Sequence, residues 1–175
     1  MSRVSSTVKS LSVALALSLA GAGAAQAAST AQDAATERQL RANLAANPGS
    51  VRTGPNQIQL APGVTMTLPD HGSAKAAQRA KCKRGFFCIY ENVNFGGAHL
   101  DMTRCKTHIL QSYRFKDQHG RSDRWREEAS SWINNQTGGV AATLTSAEGR
   151  TLRAPIGRDN HMGNWHDQAV AVKPC

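Results

Sequence analysis

The fold is decided by residues 82–97, which read CKRGFFCIYENVNFGG. The apolar run at 86–90 is rich in aromatic and β-branched residues, which predicts a buried strand. Residues 98–102 (AHLDM) alternate in polarity after the glycine pair and predict a second strand. Two strands joined by a glycine-bearing loop predict a β-hairpin.

Tyr90, Phe95 and Gly97 have the spacing aromatic-x-x-x-x-aromatic-x-Gly within this hairpin. An aromatic side chain on the first strand can pack over the folded loop. Glycine permits the positive φ or the close backbone approach that such a loop needs. The alternative is an ordinary hairpin with an apolar tip, since short motifs also arise by chance.

The N-terminus has the features of a secretory signal peptide over residues 1–27. Arg3 and Lys9 form a basic n-region, 11–20 (LSVALALSLA) is apolar, and AQA at 25–27 is a small-x-small cleavage motif. The apolar run is too short to span a bilayer, and no later run approaches spanning length. We therefore expect a secreted, extracellular protein without a membrane span.

Export would place the four cysteines, Cys82, Cys88, Cys105 and Cys175, in an oxidising compartment where disulfides form. Four cysteines allow three connectivities. The favoured one joins Cys82 to Cys88, which closes a tight loop around Gly85, and ties the C-terminal Cys175 to Cys105. A zinc site is the alternative, but the cysteine spacings match no zinc pattern.

The chain is basic, with a formal net charge of +9 from 21 lysines and arginines against 12 acidic residues. Removal of Arg3 and Lys9 with the signal peptide leaves +7, from 19 basic and 12 acidic residues. Such a charge suits nucleic acid, an anionic cell-wall polymer or an acidic protein surface. The 5% aromatic content disfavours a nucleic-acid stacking platform. Solubility alone is the simplest explanation of the charge.

Residues 28–81 form a leader segment without cysteine or aromatic residues. Residues 36–39 (TERQ) resemble a capping box that opens a short helix, which ends at 47–49 (NPG). Residues 58–68 predict a small hairpin, and 69–81 a linker. So few large apolar residues cannot form an independent core. The segment is therefore a leader or pro-region, or an arm that docks on the main domain.

Residues 82–175 contain short apolar runs separated by turn signals, which predict an all-β sandwich or barrel. Strands are expected in 109–113, at the end of 125–135, in 140–145, in 150–153 and near 165–172, with a polar, basic loop over 114–124.

An internal repeat is visible in the second half of the chain. The pattern WxExAxxW starting at Trp125 aligns with WxDxAxxV starting at Trp165, an offset of 40 residues. The Gly97 hairpin has a weaker partner at Gly149. Each unit is too small to bury a face alone, so two units would pair around one core. Chance similarity around two tryptophans is the alternative.

The repeated hairpin and the acidic loop leading into ASS at 129–131 resemble the βγ-crystallin Greek-key domain. The secretory leader, the cysteine pair before the hairpin and the terminal cysteine resemble secreted actinobacterial peptidase inhibitors grouped with the Streptomyces metalloproteinase inhibitor. The resemblance covers residues 82–175 and implies a double Greek-key sandwich. The fold-motif residues that it marks are Tyr90, Phe95, Gly97, Trp125, Ser131 and Trp165.

The βγ-crystallin resemblance also implies calcium, bound by a loop of two Asp or Asn residues, two spacers and Ser/Thr-Ser. Ca²⁺ takes several hard oxygen ligands. Here Arg126 places a positive charge at one ligand position, and HDQAV at 166–170 lacks the hydroxyl. Glu127, Ser130 and Asp167 remain as vestigial ligands, so no cofactor is expected.

The sequence contains no arrangement typical of an enzyme. The histidines lie singly, and Gly-x-Ser-x-Gly, His-Glu-x-x-His and phosphate-binding glycine loops are absent. His161, His166 and Asp167 offer metal ligands, but a solvated polar loop is the commoner meaning of such a group. We expect a non-enzymatic protein.

A small disulfide-linked β-domain presents loops with little conformational entropy to lose, which favours tight protein binding. The resemblance implies an inhibitor of extracellular metallopeptidases. The alternative is a non-enzymatic module that binds a cell wall or an anionic polymer. Two exposed loops are candidate inhibitory surfaces, although ordinary solvated loops explain them equally well; their residues are Lys83, Arg84, Phe86, Arg114, Lys116 and Arg121.

Overall fold

The computed structural model describes residues 22–69, 82–117, 119, 121–125 and 128–175. Helix α1 spans Ala22–Ala46, and short 3-10 turns lie at Val93–Phe95, Leu110–Ser112 and Gly163–Trp165. The strands are β1 (Val51–Gly54), β2 (Gln57–Ala61), β3 (Val64–Thr67), β4 (Phe87–Asn92), β5 (Gly96–Met102), β6 (His108–Ile109), β7 (Arg114–Lys116), β8 (Ser122–Arg124), β9 (Ser131–Asn134), β10 (Ala142–Ser146), β11 (Thr151–Ala154), β12 (Gly157–Asp159) and β13 (Ala169–Lys173).

The hairpin predicted from residues 82–102 is confirmed as β4 paired with β5. Ile89 lies opposite Leu100, and both belong to the main core. Tyr90 lies opposite His99 on the other face, and both of these side chains are buried as well. The hairpin is therefore covered on both faces, which accounts for the continuous apolar run in β4.

Two antiparallel sheets form the body of the protein. The first contains the order β5-β4-β9-β12, and the second contains β11-β10-β13-β6. β6 follows the first hairpin in sequence but pairs with β13, whereas β12 follows the second hairpin but pairs with β9. Each repeat therefore contributes three strands to one sheet and one strand to the other. This exchange confirms the all-β, βγ-crystallin-like double Greek key predicted from the sequence.

The two sheets enclose one apolar core to which both repeats contribute. Ala129 and Ala169, which align in the repeat, have no exposed surface. Trp132 of β9 and Val172 of β13 also align, and both lie in this core. Phe87 stacks on Trp132 with their ring centroids 6.3 Å apart. The alanines leave room for these larger side chains between the sheets.

Residues 22–69 form an N-terminal arm that extends the first sheet. β1, β2 and β3 continue it beyond β5, and Met66 lies opposite Leu100. Leu40 of α1 and Ile58 of β2 are buried in the same core as the double Greek key. The arm is thus packed against the β-domain. Residues 1–21 of the predicted signal peptide and 70–81 of the predicted linker lie outside the described residues.

Helix α1 is longer than the sequence predicts. It begins at Ala22, so the predicted start at 36–39 is wrong, whereas the predicted end before Asn47 is confirmed. Residues 22–35 are mostly alanine. Because alanine has the highest helix propensity, the helix extends through this stretch and needs no capping box at Thr36.

The chain between the two repeats differs from the prediction. The loop expected over 114–124 contains a hairpin of β7 and β8, anchored by the buried Phe115. The strand expected over 109–113 is wrong beyond Ile109, because buried Leu110 begins a 3-10 turn. β1 and β12 were not predicted, and both are exposed edge strands with few apolar residues.

Two disulfides link Cys82 to Cys88 and Cys105 to Cys175, with Cα atoms 5.8 Å and 5.2 Å apart. This pairing agrees with the one that the sequence favours. The first disulfide closes a short loop in front of β4, and the second joins the C-terminal residue to the loop after β5. Within the described residues, no helix is both long and apolar enough to cross a membrane.

Candidate functional site

The folded loop of the first hairpin is held by Ser131 of β9. The Ser131 hydroxyl donates to the Asn92 carbonyl at 2.7 Å and accepts from the Phe95 amide at 3.1 Å. The Tyr90 and Phe95 rings meet edge to face, 5.6 Å apart. Burial raises the pKa of the Tyr90 hydroxyl, and the charge of Asp101 adds to the effect. The predicted fold-motif residues of this hairpin are therefore in contact.

Residues 82–86 form a tight turn inside the first disulfide loop. The Phe86 amide donates to the Lys83 carbonyl at 3.1 Å, and Gly85 has φ +88°, which glycine adopts at little cost. Lys83 and Arg84 are exposed at the tip, and Phe86 is half-buried. We call residues 83–86 the disulfide turn.

A second exposed segment joins the two sheets at residues 154–157. Ala154 ends β11 in the second sheet, and Gly157 begins β12 in the first. Between them, Pro155 has a restricted φ, and Ile156 is 47% exposed. Because each end is paired into a different sheet, this crossover segment has little freedom to move.

Asn134 and Asn135 connect the crossover segment to the disulfide turn. Asn134 lies opposite Gly157, and its side-chain amide donates to the Ala154 carbonyl at 2.9 Å. Asn135 accepts a hydrogen bond from the Gly85 amide at 2.7 Å, and its side chain donates to the Cys82 carbonyl at 2.9 Å. Two exposed segments are thus fixed by adjacent residues at one end of β9. We call this pair of segments the β9-end surface.

Residues 75–151 match the model of peptidase inhibitor family I36. The matched stretch is shorter than half of the chain. The match confirms the resemblance seen in the sequence and supports a peptidase inhibitor role rather than an enzymatic one. The N-terminal domain of protein S is similar at 13% identity and TM-score 0.37, over 50% of this chain and 92% of that chain. No curated protein matches.

The disulfide turn lies within the I36 match, and the crossover segment lies just beyond it. Sequence reasoning singled out Lys83, Arg84 and Phe86 but missed Ile156 and the two asparagines. A signal for Ile156 was present, because an apolar residue between proline and glycine is flanked by turn formers.

The other predicted inhibitory residues lie on a separate element of the structure. Arg114 and Lys116 belong to β7, whose backbone hydrogen-bonds to the side chains of Asn43 in α1 and Asn47 just after it. Arg121 forms an ion pair with Asp117 at 2.6 Å, and Asp117 also accepts the amides of His119 and Arg121 at 2.8 Å. Asp117 therefore holds residues 119 and 121, and the backbone of β7 is covered by Asn43 and Asn47.

The described part of the calcium site does not fit a cation. His166 Nε2 lies 2.9 Å from the Ser130 hydroxyl, and His166 Nδ1 lies 2.6 Å from an Asp167 carboxylate oxygen. The His166 imidazole thus contacts both of the described residues, Ser130 and Asp167, that were expected to supply oxygen ligands to calcium. Burial raises the pKa of Asp167, with His166 opposing that shift. Glu127, together with Arg126, lies outside the described residues.

The two tryptophans that mark the repeat have different surroundings. Trp125 is fully buried, and its ring lies 5.4 Å from Phe115. Trp165 is partly exposed, with the Arg150 guanidinium 5.2 Å above its ring. Trp125 has a structural role beneath the N-terminal arm, because its indole N–H donates a hydrogen bond to Met66 Sδ at 3.4 Å.

Proposed function

We propose that the protein is a secreted inhibitor of extracellular metallopeptidases that binds its target through the β9-end surface. The I36 match and the two disulfides support this proposal. The signal peptide at residues 1–27 remains part of the proposal, and N-terminal sequencing of the exported protein tests it.

The observation that carries the proposal is the fixed geometry of two exposed segments. The disulfide turn is held by a disulfide and by Asn135, and the crossover segment is held by two sheets and by Asn134. Pre-organised segments lose little entropy on binding, which is how a small protein gains affinity for an enzyme cleft. The surface lacks the nucleophile and base that catalysis would need.

The two segments offer different chemistry to an enzyme. Ile156 presents an apolar side chain that suits an apolar substrate pocket, where buried anchors dominate binding. Arg84 presents a guanidinium that suits an acidic pocket such as that of trypsin-like serine peptidases. We assign the principal contact to Ile156. The apolar substrate pocket of a metallopeptidase would bury this side chain without a charge, whereas burial of the Arg84 guanidinium in the same pocket would leave its charge unpaired.

Titration of the purified protein against a panel of zinc and serine endopeptidases tests the proposal. We expect stoichiometric inhibition of at least one zinc enzyme, weakened about 100-fold or more in Ile156→Asp because a buried charge lacks a partner. Ile109→Asp is the matched control, since Ile109 is 41% exposed on the second sheet. It should inhibit like the wild type.

The panel also distinguishes the competing assignments. Inhibition of serine enzymes that is lost in Arg84→Ala and retained in Ile156→Asp would contradict the metallopeptidase assignment. No inhibition of either class would remove the inhibitor proposal. The polymer alternative rests on the net charge, and it predicts cell-wall retention that falls steeply with salt.

A further inference from the structure

A buried polar cluster lies on the outer face of the first sheet, beneath the disulfide turn. Asp101 of β5 is 5% exposed and lies opposite Cys88 of β4. His99, two residues earlier on the same face, is 9% exposed, and its Nε2 lies 3.5 Å from an Asp101 carboxylate oxygen. A carboxylate this deeply buried is costly unless a partner compensates it.

The other oxygen of Asp101 points at sulfur. Asp101 Oδ1 lies 2.9 Å from Cys88 Sγ. A disulfide sulfur carries no hydrogen, so it donates nothing to this oxygen in the oxidised protein. A thiol at the same place would donate a hydrogen bond, and a metal ion shared with the sulfur would bind the oxygen directly.

Three potential ligands already converge at this point. Cys82 Sγ, Cys88 Sγ and an Asp101 carboxylate oxygen all lie within 4.8 Å of one another, and in the described part of the chain no other three ligand residues do so. All three residues are buried. Two thiolates with a carboxylate or imidazole form a ligand set that suits Zn²⁺ and similar soft divalent ions.

We propose that Cys82, Cys88 and Asp101 form a zinc-class metal site when the disulfide between the two cysteines is reduced, with His99 positioned by Asp101 beside it. A dithiol reductant would open the bond: the protein disulfide gains two electrons and two protons, and the dithiol becomes a cyclic disulfide. Binding of M²⁺ then displaces the two thiol protons and forms two metal–sulfur bonds. Disulfide and metal site are alternative states of one cysteine pair.

The surroundings of the two sulfurs support this exchange. Cys88 is fully buried, whereas Cys82 retains 9% exposure, so an incoming thiolate would attack Cys82 and release Cys88 beside Asp101. The Asn135 amide would still hold the Cys82 carbonyl, and β4 would still hold Cys88. The backbone around both ligands therefore has hydrogen bonds that do not depend on the disulfide.

Cobalt titration of the reduced protein tests the site, since Co²⁺ reports thiolate ligands through charge-transfer absorption and tetrahedral geometry through its d–d bands. The background is Cys105→Ala with Cys175→Ala, reduced by a water-soluble phosphine that is oxidised to its oxide. We expect one Co²⁺ per chain, no signal from the oxidised protein and none from Cys88→Ser. Asp101→Asn should bind at least about ten-fold more weakly.

Glu148→Gln is the matched control, because Glu148 is exposed and far in sequence from the cysteines. It should bind Co²⁺ like the background. Equal affinity in Asp101→Asn would overturn the proposal, and so would a thiolate spectrum that persists in Cys88→Ser. If the background variant does not fold, the fully reduced wild type is compared with its own Asp101→Asn variant, since Asp101 adjoins only one cysteine pair.

Discussion

Gly97 shows how one residue fixes the folded hairpin. Its φ is +73°, and a Cβ built there would lie 2.4 Å from Glu91 Oε2. That oxygen accepts the Ala98 amide at 2.8 Å, so the carboxylate cannot move aside without losing this hydrogen bond. Burial raises the pKa of Glu91, and the Ala98 hydrogen bond opposes the shift.

Gly149 provides the matched comparison for Gly97. Its φ is +78°, but no atom lies within 4 Å of a Cβ built there. Gly149→Ala should therefore cost only the left-handed strain, about 1–2 kcal/mol. Gly97→Ala should cost about 1–3 kcal/mol more, because a buried hydrogen bond is lost as well. Urea unfolding of both variants measures the difference, and equal losses would contradict the steric role of Glu91.

His166 takes the place that a cation would need between Ser130 and Asp167. We propose that the protein is indifferent to calcium, and that millimolar Ca²⁺ or a chelator leaves its Tm unchanged. His166→Ala should lower the free energy of unfolding by about 1 kcal/mol, since the buried Ser130 hydroxyl loses one of its two partners and keeps only Asp167. A Ca²⁺-specific rise in Tm of the wild type, absent with Mg²⁺, would contradict this.

The residues of the first hairpin could be predicted because their spacing is local and each has a steric reason. The ring of Tyr90, the loop at Phe95 and the glycine at 97 lie within eight residues of one another. Asn134 and His166 could not be predicted in the same way. Their roles depend on partners at Ala154 and Ser130 that only the folded chain brings close.

At the scale of elements, α1 and the residue that follows it contact β7 through two asparagine side chains. Asn47 accepts the Arg114 amide at 2.8 Å and donates to the Arg114 carbonyl at 2.9 Å. Asn43, one helical turn earlier, makes the same two contacts with Lys116, each at 2.8 Å. The two side-chain amides thus act as a neighbouring strand for the edge of β7.

Removal of Asn43 should therefore leave the Lys116 amide without its side-chain acceptor, whereas the Lys116 carbonyl still accepts from Gln39 Nε2 at 3.0 Å. We expect Asn43→Ala to cost about 1–3 kcal/mol and to speed amide exchange at Lys116. Arg38→Ala, an exposed change in the same helix, should cost less than about 0.5 kcal/mol. Slow exchange at Lys116 in the asparagine variant would show that another group covers this edge.

Three of the strands that the sequence failed to predict share one physical property. β7, β8 and β12 are three-residue strands, too short to display an alternating pattern. The hairpin of β7 and β8 is stabilised by Phe115 beneath it and by asparagines that lie more than 60 residues away in sequence. The sandwich itself was predictable, because apolar and polar residues alternate along its longer strands and the internal repeat indicates how many strands each unit contributes.

For the molecule as a whole, His108 links stability to pH. Its ring is buried, with Nδ1 3.2 Å from the Tyr113 hydroxyl and Nε2 3.2 Å from the Arg104 carbonyl. Burial lowers the pKa of His108, opposed by the Arg104 hydrogen bond. Below the ordinary value of 6.5 the unfolded chain therefore binds more protons than the folded one. Its contribution to stability is present above that pH and is lost as the pH falls.

His108→Gln isolates this contribution. At pH 8 the wild type and the variant should differ by a constant offset in the free energy of unfolding. Between pH 7 and pH 5 the wild type should lose more stability than the variant, because the variant has no proton to take up. Urea unfolding at each pH measures both profiles, and parallel curves would contradict the assignment.

The N-terminal arm contributes to the stability of the whole molecule. The sequence alone does not decide whether it is a removable leader or an arm that docks on the main domain. Five of its apolar side chains (Leu40, Ile58, Val64, Met66 and Leu68) have 1% exposure or less. Burying such a side chain contributes about 1.5–3 kcal/mol. Five together approach the whole stability of a typical domain, about 5–15 kcal/mol.

We therefore expect a chain of residues 82–175 alone to aggregate or to unfold without cooperativity, because Met66 no longer covers Trp125 and the edge of β5 lies open. The control is the full mature chain with a protease site inserted between 70 and 81 and cut after folding. Its two fragments should co-elute on gel filtration and keep the Tm of the uncut protein to within a few degrees. A fragment of 82–175 that unfolds cooperatively near that Tm would show that the arm is a dispensable leader.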